Sequence, residues 1–273
     1  MLLFGPAGVP HASRDRSTAG GVKTVAELGL DAMEVQFVRG VKMGRKKAEE
    51  VRDAAEEAGV ALSVHAPYYI NLNAENQEKF QQSVKRLVDS ALVASIFGAR
   101  NIVFHPGYYL RSSKERAYQN IKKGVEMALK KIGENGVDVI LRPETTGKPT
   151  QFGELDELLR LSEELENVMP CVDFSHIHAR YRRYNSYDEF REILSQVEER
   201  LGREAIKDMH IHVSGIEYGL KGEKNHLNLE ESDLKYVELL KVLKEFGVEG
   251  MLICESPNLE EDAMLLKRTY AEV

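Results

Sequence analysis

The sequence predicts an α/β protein folded as a single (β/α)8 barrel, the TIM-barrel architecture, over residues 1–273. Three observations predict it. Short apolar runs rich in β-branched residues recur eight times, each bounded by turn residues or charge. Longer segments with apolar residues at helical spacing lie between them. Glycine precedes four of the runs, at Gly59, Gly98, Gly136 and Gly247, where a left-handed residue ends a helix. Strands and helices alternating every roughly 30–40 residues fit parallel β/α units. A doubly wound open sheet is the alternative, but no G-x-G-x-x-G follows the first run and no P-loop is present.

The elements follow in order. Leu2–Gly5 is the first strand and opens into a Gly/Pro-rich loop, Pro6–Gly21. Ala32–Phe37 is the second, and the next segment, Arg45–Ala58, places Ala48, Val51, Ala54, Ala55 and Ala58 on one stripe. Ala61–Ala66 precedes the helix Phe80–Phe97, whose stripe is Val84, Leu87, Val88, Ala91, Leu92, Ser95 and Ile96. Asn101–His105 and Asp138–Pro143 precede the helical segments Tyr118–Ile132 and Leu155–Leu165. Met169–Asp173, Asp208–Ser214 and Gly250–Ser256 complete the strands, with helices at Tyr187–Leu201, Leu234–Phe246 and Leu259–Tyr270. A long loop, Gly215–Leu229, follows the seventh strand.

Composition narrows the function. Charged residues make up 30% and hydrophobic ones 42%, an ordinary soluble balance. No apolar run approaches the roughly 18 residues of a membrane helix, and the N-terminus lacks the basic start of a signal peptide. A cytoplasmic protein with no membrane partner is therefore expected. The two cysteines, Cys171 and Cys254, lie inside apolar runs and read as small buried hydrophobes. A net charge of -7 argues against a basic protein that coats nucleic acid, though not against a local cationic groove.

The chemistry collects at the strand ends. Val172-Asp173-Phe174-Ser175-His176-Ile177-His178 places a carboxylate and two imidazoles directly after a buried strand. The other ends carry Glu34 and Gln36, His65, His105, Glu144, His210 with His212, and Glu255. In a barrel these ends converge on one mouth. Any one of them alone reads as a hydrogen-bonded rim residue. Their recurrence on successive strands points to a metal site, because imidazole and carboxylate are the ligands of borderline divalent ions. Glu144, Asp173, His210 and Glu255 can hold one ion, with Glu144 able to bridge to a second held by His65 and His105. His176 and His226 can form a third. Several adjacent metals suit phosphoryl chemistry, whereas a sugar isomerase needs only the first set.

Six collinear motifs sharpen this reading. They are Val64-His65-Ala66-Pro67-Tyr68-Tyr69-Ile70-Asn71-Leu72, Phe104-His105-Pro106-Gly107, Pro143-Glu144-Thr145-Thr146-Gly147, Cys171-Val172-Asp173-Phe174-Ser175-His176, Met209-His210 and Cys254-Glu255-Ser256-Pro257-Asn258. The chain resembles the endonuclease IV family of abasic-site DNA-repair enzymes, within the xylose-isomerase-like barrels. The resemblance implies three Zn2+ ions, with Mn2+ as a second candidate metal. His65, His105 and Glu144 would hold the first ion. Glu144, Asp173, His210 and Glu255 would hold the second, and His176 and His226 the third. A hydroxide bridging metals held by Glu144 would attack the phosphate 5′ to a base-less sugar in double-stranded DNA, leaving a 3′-hydroxyl. Tyr68 would line the pocket for the flipped nucleotide, and Arg39, in the Phe37–Met43 loop, would enter a groove.

The chain departs from that pattern in places. The family carries Asp-x-His in its third-metal loop, whereas this sequence reads Gly222-Glu223-Lys224-Asn225-His226. Glu223 must then supply the acid, three residues before His226. His178 and His212 have no counterpart and read as outer partners of ligands or as packing residues. The first loop also lacks the family's short His-containing opening. Two other readings stay open: a sugar isomerase or epimerase using one ion, and a metal-dependent protein that binds damaged DNA without cutting it.

Overall fold

The computed structural model describes residues 1–273 and shows the eight expected strands closed into a barrel. They are β1 (Leu2–Pro6), β2 (Ala32–Gln36), β3 (Ala61–His65), β4 (Asn101–Phe104), β5 (Ile140–Pro143), β6 (Cys171–Asp173), β7 (Met209–Val213) and β8 (Gly250–Cys254). β2-β3-β4-β5 form one parallel ladder and β6-β7-β8-β1 the other. Isolated bridges Leu141/Val168 and Glu144/Cys171 join β5 to β6. At the other seam the Asp31 amide donates to the Phe4 carbonyl at 2.8 Å. A Cβ on Gly5 would meet the Ala32 carbonyl oxygen at 1.7 Å, so only glycine lets β1 and β2 approach here. Strands buried on both faces need continuous apolar runs, which explains why Leu62, Val64, Ile102, Val103, Ile211, Val213, Leu252 and Ile253 are all buried.

The surrounding helices are α1 (Thr18–Glu27), α2 (Arg45–Ala58), α3 (Gln77–Ile96), α4 (Lys114–Glu134), α5 (Leu155–Glu164), α6 (Phe174–Tyr181), α7 (Tyr187–Leu201), α8 (Arg203–Lys207), α9 (Tyr236–Glu245) and α10 (Glu260–Glu272). Each predicted helix is present. α1 lies partly inside the stretch read as a loop. Gly20 and Gly21 weaken its helical signal, while the Ser17 cap and burial of Val22 and Val25 hold it. α6 was also not expected. It starts at the residue after β6, with the Asp173 side chain accepting from the His176 amide at 2.7 Å as its N-cap.

The loop after β7 is not irregular. Gly215–Gly219 and Gly222–Leu227 pair as an antiparallel hairpin standing over the mouth. A second short antiparallel ladder, Gly107–Tyr108 with Gln151–Phe152, braces the loops after β4 and β5. Arg142 plugs the barrel interior below the mouth, its guanidinium 2.8 Å from Asn101 Oδ1 and 2.7 Å from Asp208 Oδ2. No helix is long and apolar enough to cross a membrane.

Candidate metal centre at the barrel mouth

The inward-facing polar side chains form two layers. The upper layer holds His65, His105, Glu144, Asp173, His212 and Glu255, and the lower holds Glu34, Ser63, Cys171 and His210. Strand register sets the level of each, since Asp173 pairs with His212 and Cys171 with His210. Consecutive inward positions on one strand are two residues apart, so both histidines of β7 face inward and only register decides which reaches the mouth.

Three groups of ligand atoms come together there, and a fourth, Cys171, His210 and His212, reaches into the layer below. His65, His105 and Glu144 form one; Glu144, Asp173, His212 and Glu255 form the next; His176, Glu223 and His226 form the last. Within each group the atoms lie within 4.8 Å of one another. Glu144 serves two of them with different oxygens. Its Oε2 lies 3.1 Å from His65 Nε2 and 3.0 Å from His105 Nε2. Its Oε1 lies 3.0 Å from His176 Nδ1 and 3.4 Å from His212 Nδ1.

His210 was expected in the second group, and the structure corrects this. Its Nε2 sits 2.9 Å from Glu34 in the lower layer, and His212 stands beside Glu144, Asp173 and Glu255 instead. Glu34 touches both histidines, lying 3.2 Å from His212 Nε2, and also accepts from the Ser63 hydroxyl at 3.0 Å. His212 thus turns Nε2 toward a carboxylate and Nδ1 toward the open centre, the arrangement by which an outer carboxylate orients a metal-ligating imidazole. His65 is held in the same manner, its Nδ1 2.8 Å from the Ala66 carbonyl.

The hairpin group depends on one irregularity. Glu223 and His226 are three apart, and a regular strand would point them to opposite faces. Ile216 pairs with His226 and Tyr218 with Glu223, so Lys224 is an extra residue in a β-bulge. Ile216 and Tyr218 share a face of the unbulged arm, and their partners therefore share it too. That face looks onto α6, where His176 Nε2 lies 3.4 Å from His226 Nε2 and 3.6 Å from Glu223 Oε2. The Glu223 amide donates to the Gly147 carbonyl at 2.9 Å, and a Cβ on Gly147 would lie 2.6 Å from the Glu223 Cβ. Gly147 is thus the space Glu223 occupies. His178, two residues beyond His176, points away from the centre, its Nε2 3.2 Å from Asp233, and packs edge-on against Tyr218.

The electrostatics match a site built for cations. Burial works against the Glu144 carboxylate, but the imidazoles of His105, His212 and His176 hold its pKa well below the ordinary range. Glu255 is likewise depressed to about 2, burial being outweighed by His212. Asp173 is pushed up to about 6 by burial, with the charges of Glu144 and Glu255 adding to that and His176 opposing it. Burial opposes protonation of His176 and His212, yet Asp173 and Glu144 around the first, and Cys171, Glu34, Glu255 and Glu144 around the second, raise both well above the usual imidazole value. Burial instead lowers His210.

Glu144 Oε1, Asp173 Oδ2 and His212 Nδ1 are buried with no aligned hydrogen bond, close to one another and to His176 Nδ1. Leaving such atoms unpaired costs about 1–3 kcal/mol each, and these are the donor types a divalent ion accepts. The residues fit a metal.

Tyr68 is 45% exposed and lines a cavity of about 300 Å³ with His105, His176, Glu223, His226 and Glu255. Its ring centroid lies 5.0 Å from that of His65. Arg39 is exposed on the loop after β2, beside a separate shallow cavity.

Residues 22–269 match the family described as xylose isomerase-like TIM barrel. The chain belongs to that family. This xylose isomerase-like barrel is 50% identical to an uncharacterized protein of Methanocaldococcus jannaschii, over 100% of this chain and 98% of that one. It is 28% identical to a probable endonuclease 4 of Bacillus licheniformis, covering 83% of this chain and 78% of the relative. Among solved structures, endonuclease IV from Thermus thermophilus superposes with a TM-score of 0.74 at 23% identity, covering 98% of each chain. A D-tagatose 3-epimerase-like protein also gives 0.74, at 20% identity over 94% of this chain and 95% of the other.

Proposed function

We propose that this barrel is a zinc-dependent DNA-repair endonuclease. It hydrolyses the phosphodiester 5′ to an abasic site in double-stranded DNA and leaves a 3′-hydroxyl. The reading is carried by the group His176, Glu223 and His226, which a bulged hairpin assembles next to two groups sharing Glu144. An isomerase working through one ion has no use for it. The likeness to a probable endonuclease 4 supports the same reading.

In this proposal His65, His105 and Glu144 hold one ion, Glu144, Asp173, His212 and Glu255 a second, and His176, Glu223 and His226 a third. Divalent ions there would lower the pKa of water and neutralise charge on the phosphoryl oxygens. The chain's own groups do the positioning. Glu144 directs its two oxygens to neighbouring groups, fixing their separation. Asp173 Oδ1 caps α6 and so sets His176. Tyr68 presents its ring at the wall of the mouth cavity, where a flipped base-less sugar would lie. Arg39, on the exposed loop after β2, would meet the duplex.

A duplex carrying a single abasic analogue, incubated with zinc- or manganese-loaded protein, tests this. Cleavage on the 5′ side, abolished by chelator, is expected, with about three ions per chain. The epimerase reading rests on Glu144, Asp173, His212 and Glu255 being sufficient for one ion and on the epimerase-like structural neighbour. One ion per chain with C3 epimerisation of a ketose and no strand cleavage would overturn our reading. Tight binding of the abasic duplex without product would favour the non-cleaving binder.

A further inference from the structure

We propose that the cavity between α3 and α4 is a second phosphate-binding site, taking backbone phosphates of the DNA strand that runs out from the mouth. The proposal deepens the DNA reading above and rests on it. The cavity measures about 690 Å³ and lies outside the metal centre, between the loops after β3 and β4. Arg111, Arg116 and Lys123 line it together with Ser112 and Asn120, and Glu75 is its one acid.

Two cations beside them on α4 are paired. On the same helix Lys114 is bound to Glu154 at 2.7 Å and Lys122 to Glu164 at 2.9 Å. Arg111, Arg116 and Lys123 form no ion pair and their side chains donate no hydrogen bond within the chain. In a protein of net charge -7, three free cations lining one concavity suit an anionic ligand. Arginine and lysine with hydroxyl and amide groups are the side chains that contact phosphate oxygens.

The cavity is also built. Asn73 donates to the carbonyls of Tyr108 and Tyr109 at 2.8 and 3.0 Å and accepts from Asn120 at 2.8 Å, tying the two loops together. Leu110, just before Arg111, is left-handed with φ 53°, a conformation that costs a non-glycine residue about 1–2 kcal/mol. The turn is nonetheless held, with the Ser112 amide donating to the Tyr109 carbonyl at 3.0 Å. It leaves Leu110 53% exposed beside the cation. Strain of this kind gathers at ligand-contacting loops.

Placement fits a flanking phosphate. Leu72 in the cavity wall is four residues from Tyr68 in the mouth, so their Cα atoms are at most about 14 Å apart. That bound spans at most about four base steps of axial rise at roughly 3.4 Å each.

The test compares two triple variants that remove the same charge. One is Arg111→Ala/Arg116→Ala/Lys123→Ala; the other, Arg100→Ala/Lys130→Ala/Lys131→Ala, lies at the opposite end of the barrel. Binding of an undamaged duplex of about 30 base pairs to the metal-loaded full chain is followed by anisotropy from about 50 to 200 mM salt. The cavity variant should weaken binding at least about tenfold and flatten the slope of log Kd against log salt by about two to three. The control should keep the wild-type slope. Equal changes in both variants, or none in the first, overturn the proposal. So does stabilisation of the wild type, but not the cavity variant, by millimolar inorganic phosphate with duplex binding unchanged, because the site would then take a small phosphate. Duplex binding that depends on the cavity without any abasic cleavage would sink the nuclease reading and leave this one standing.

Discussion

The mouth carries two kinds of ligand-bearing region, and they were built differently. His65, His105, Glu144, Asp173, His212 and Glu255 stand at or next to strand ends, where the barrel's hydrogen-bonded register fixes their height. Glu223 and His226 hang on a hairpin that reaches back over the mouth, and a single extra residue, Lys224, brings them to one face. Strand ends are rigid and overdetermined by neighbours on both sides. The hairpin lies outside the barrel wall, packed on α6 and tied to the loop after β5 by the Glu223 amide on the Gly147 carbonyl. The strand-borne groups should therefore set whether the site exists, and the hairpin group what it does.

The largest effect should come from Glu144→Gln, since that carboxylate faces two groups at once. Cleavage should fall below detection and metal content should drop by more than one ion per chain, while circular dichroism stays unchanged. Retained cleavage would break the assignment of Glu144 as the shared ligand.

Next come the two histidines of β7. His212→Ala should lose one ion and cleavage together. His210→Ala should keep the ion, with affinity lowered about 10–100-fold as for other partners of a metal ligand. Glu34→Gln should behave like His210→Ala, because it weakens the same support of His212. Equal loss of metal in His210→Ala and His212→Ala would mean the lower layer binds directly.

The hairpin gives a sharper test. Glu223→Gln should cost one ion of about three and slow cleavage, leaving the other two in place. Deleting Lys224 removes the bulge and leaves Glu223 two residues before His226, still on its face. That deletion should keep three ions. Loss of the third ion on deletion would show that the bulge positions Glu223 by more than facing.

The smallest effect concerns pH in metal-free protein. His176 and His212 have raised folded pKa values, so their stabilisation is complete below the unfolded value near 6.5 and is lost as pH rises through the folded ones. Asp173, raised from 3.8 to about 6, acts in the same direction between those values. Glu144 and Glu255 are depressed and lose their contribution only as pH falls through their folded values, below the ordinary carboxylate range. The melting temperature of the metal-free chain should therefore decline as pH rises above about 6. Zinc should reverse the decline most at the alkaline end, because its ligands must be deprotonated. A melting temperature that rises over this range without metal would contradict the raised values of His176 and His212.

Much of this was legible in the sequence. The eight apolar runs became the eight strands because a strand buried on both faces tolerates little else, and the helical stripes became the outer ring. The clustering of His65, His105, Glu144, Asp173 and Glu255 followed once a barrel was assumed, because strand ends converge. Misplacing His210 had a physical cause. His210 and His212 are two apart on one strand, and periodicity shows that both point inward but not how deep each lies. A stagger argument across β6 and β7 could have found it, since His212 and Asp173 each precede their strand's exit into the mouth loops. Glu34 was visible as a strand-end acid, yet its role needed the neighbours from β3 and β7.

The sequence by itself thus determined the barrel, the inward-facing acids and imidazoles, and the acidic balance that makes unpaired cations informative. These depend on period and composition, which a linear chain carries. Tertiary structure alone decided depth, face and partnership: His212 above His210, Glu223 turned to His226 by one extra residue, and Arg111, Arg116 and Lys123 left free around one cavity. Each of those depends on the register between segments far apart in the chain, and register is a property of the closed barrel, not of any one stretch within it.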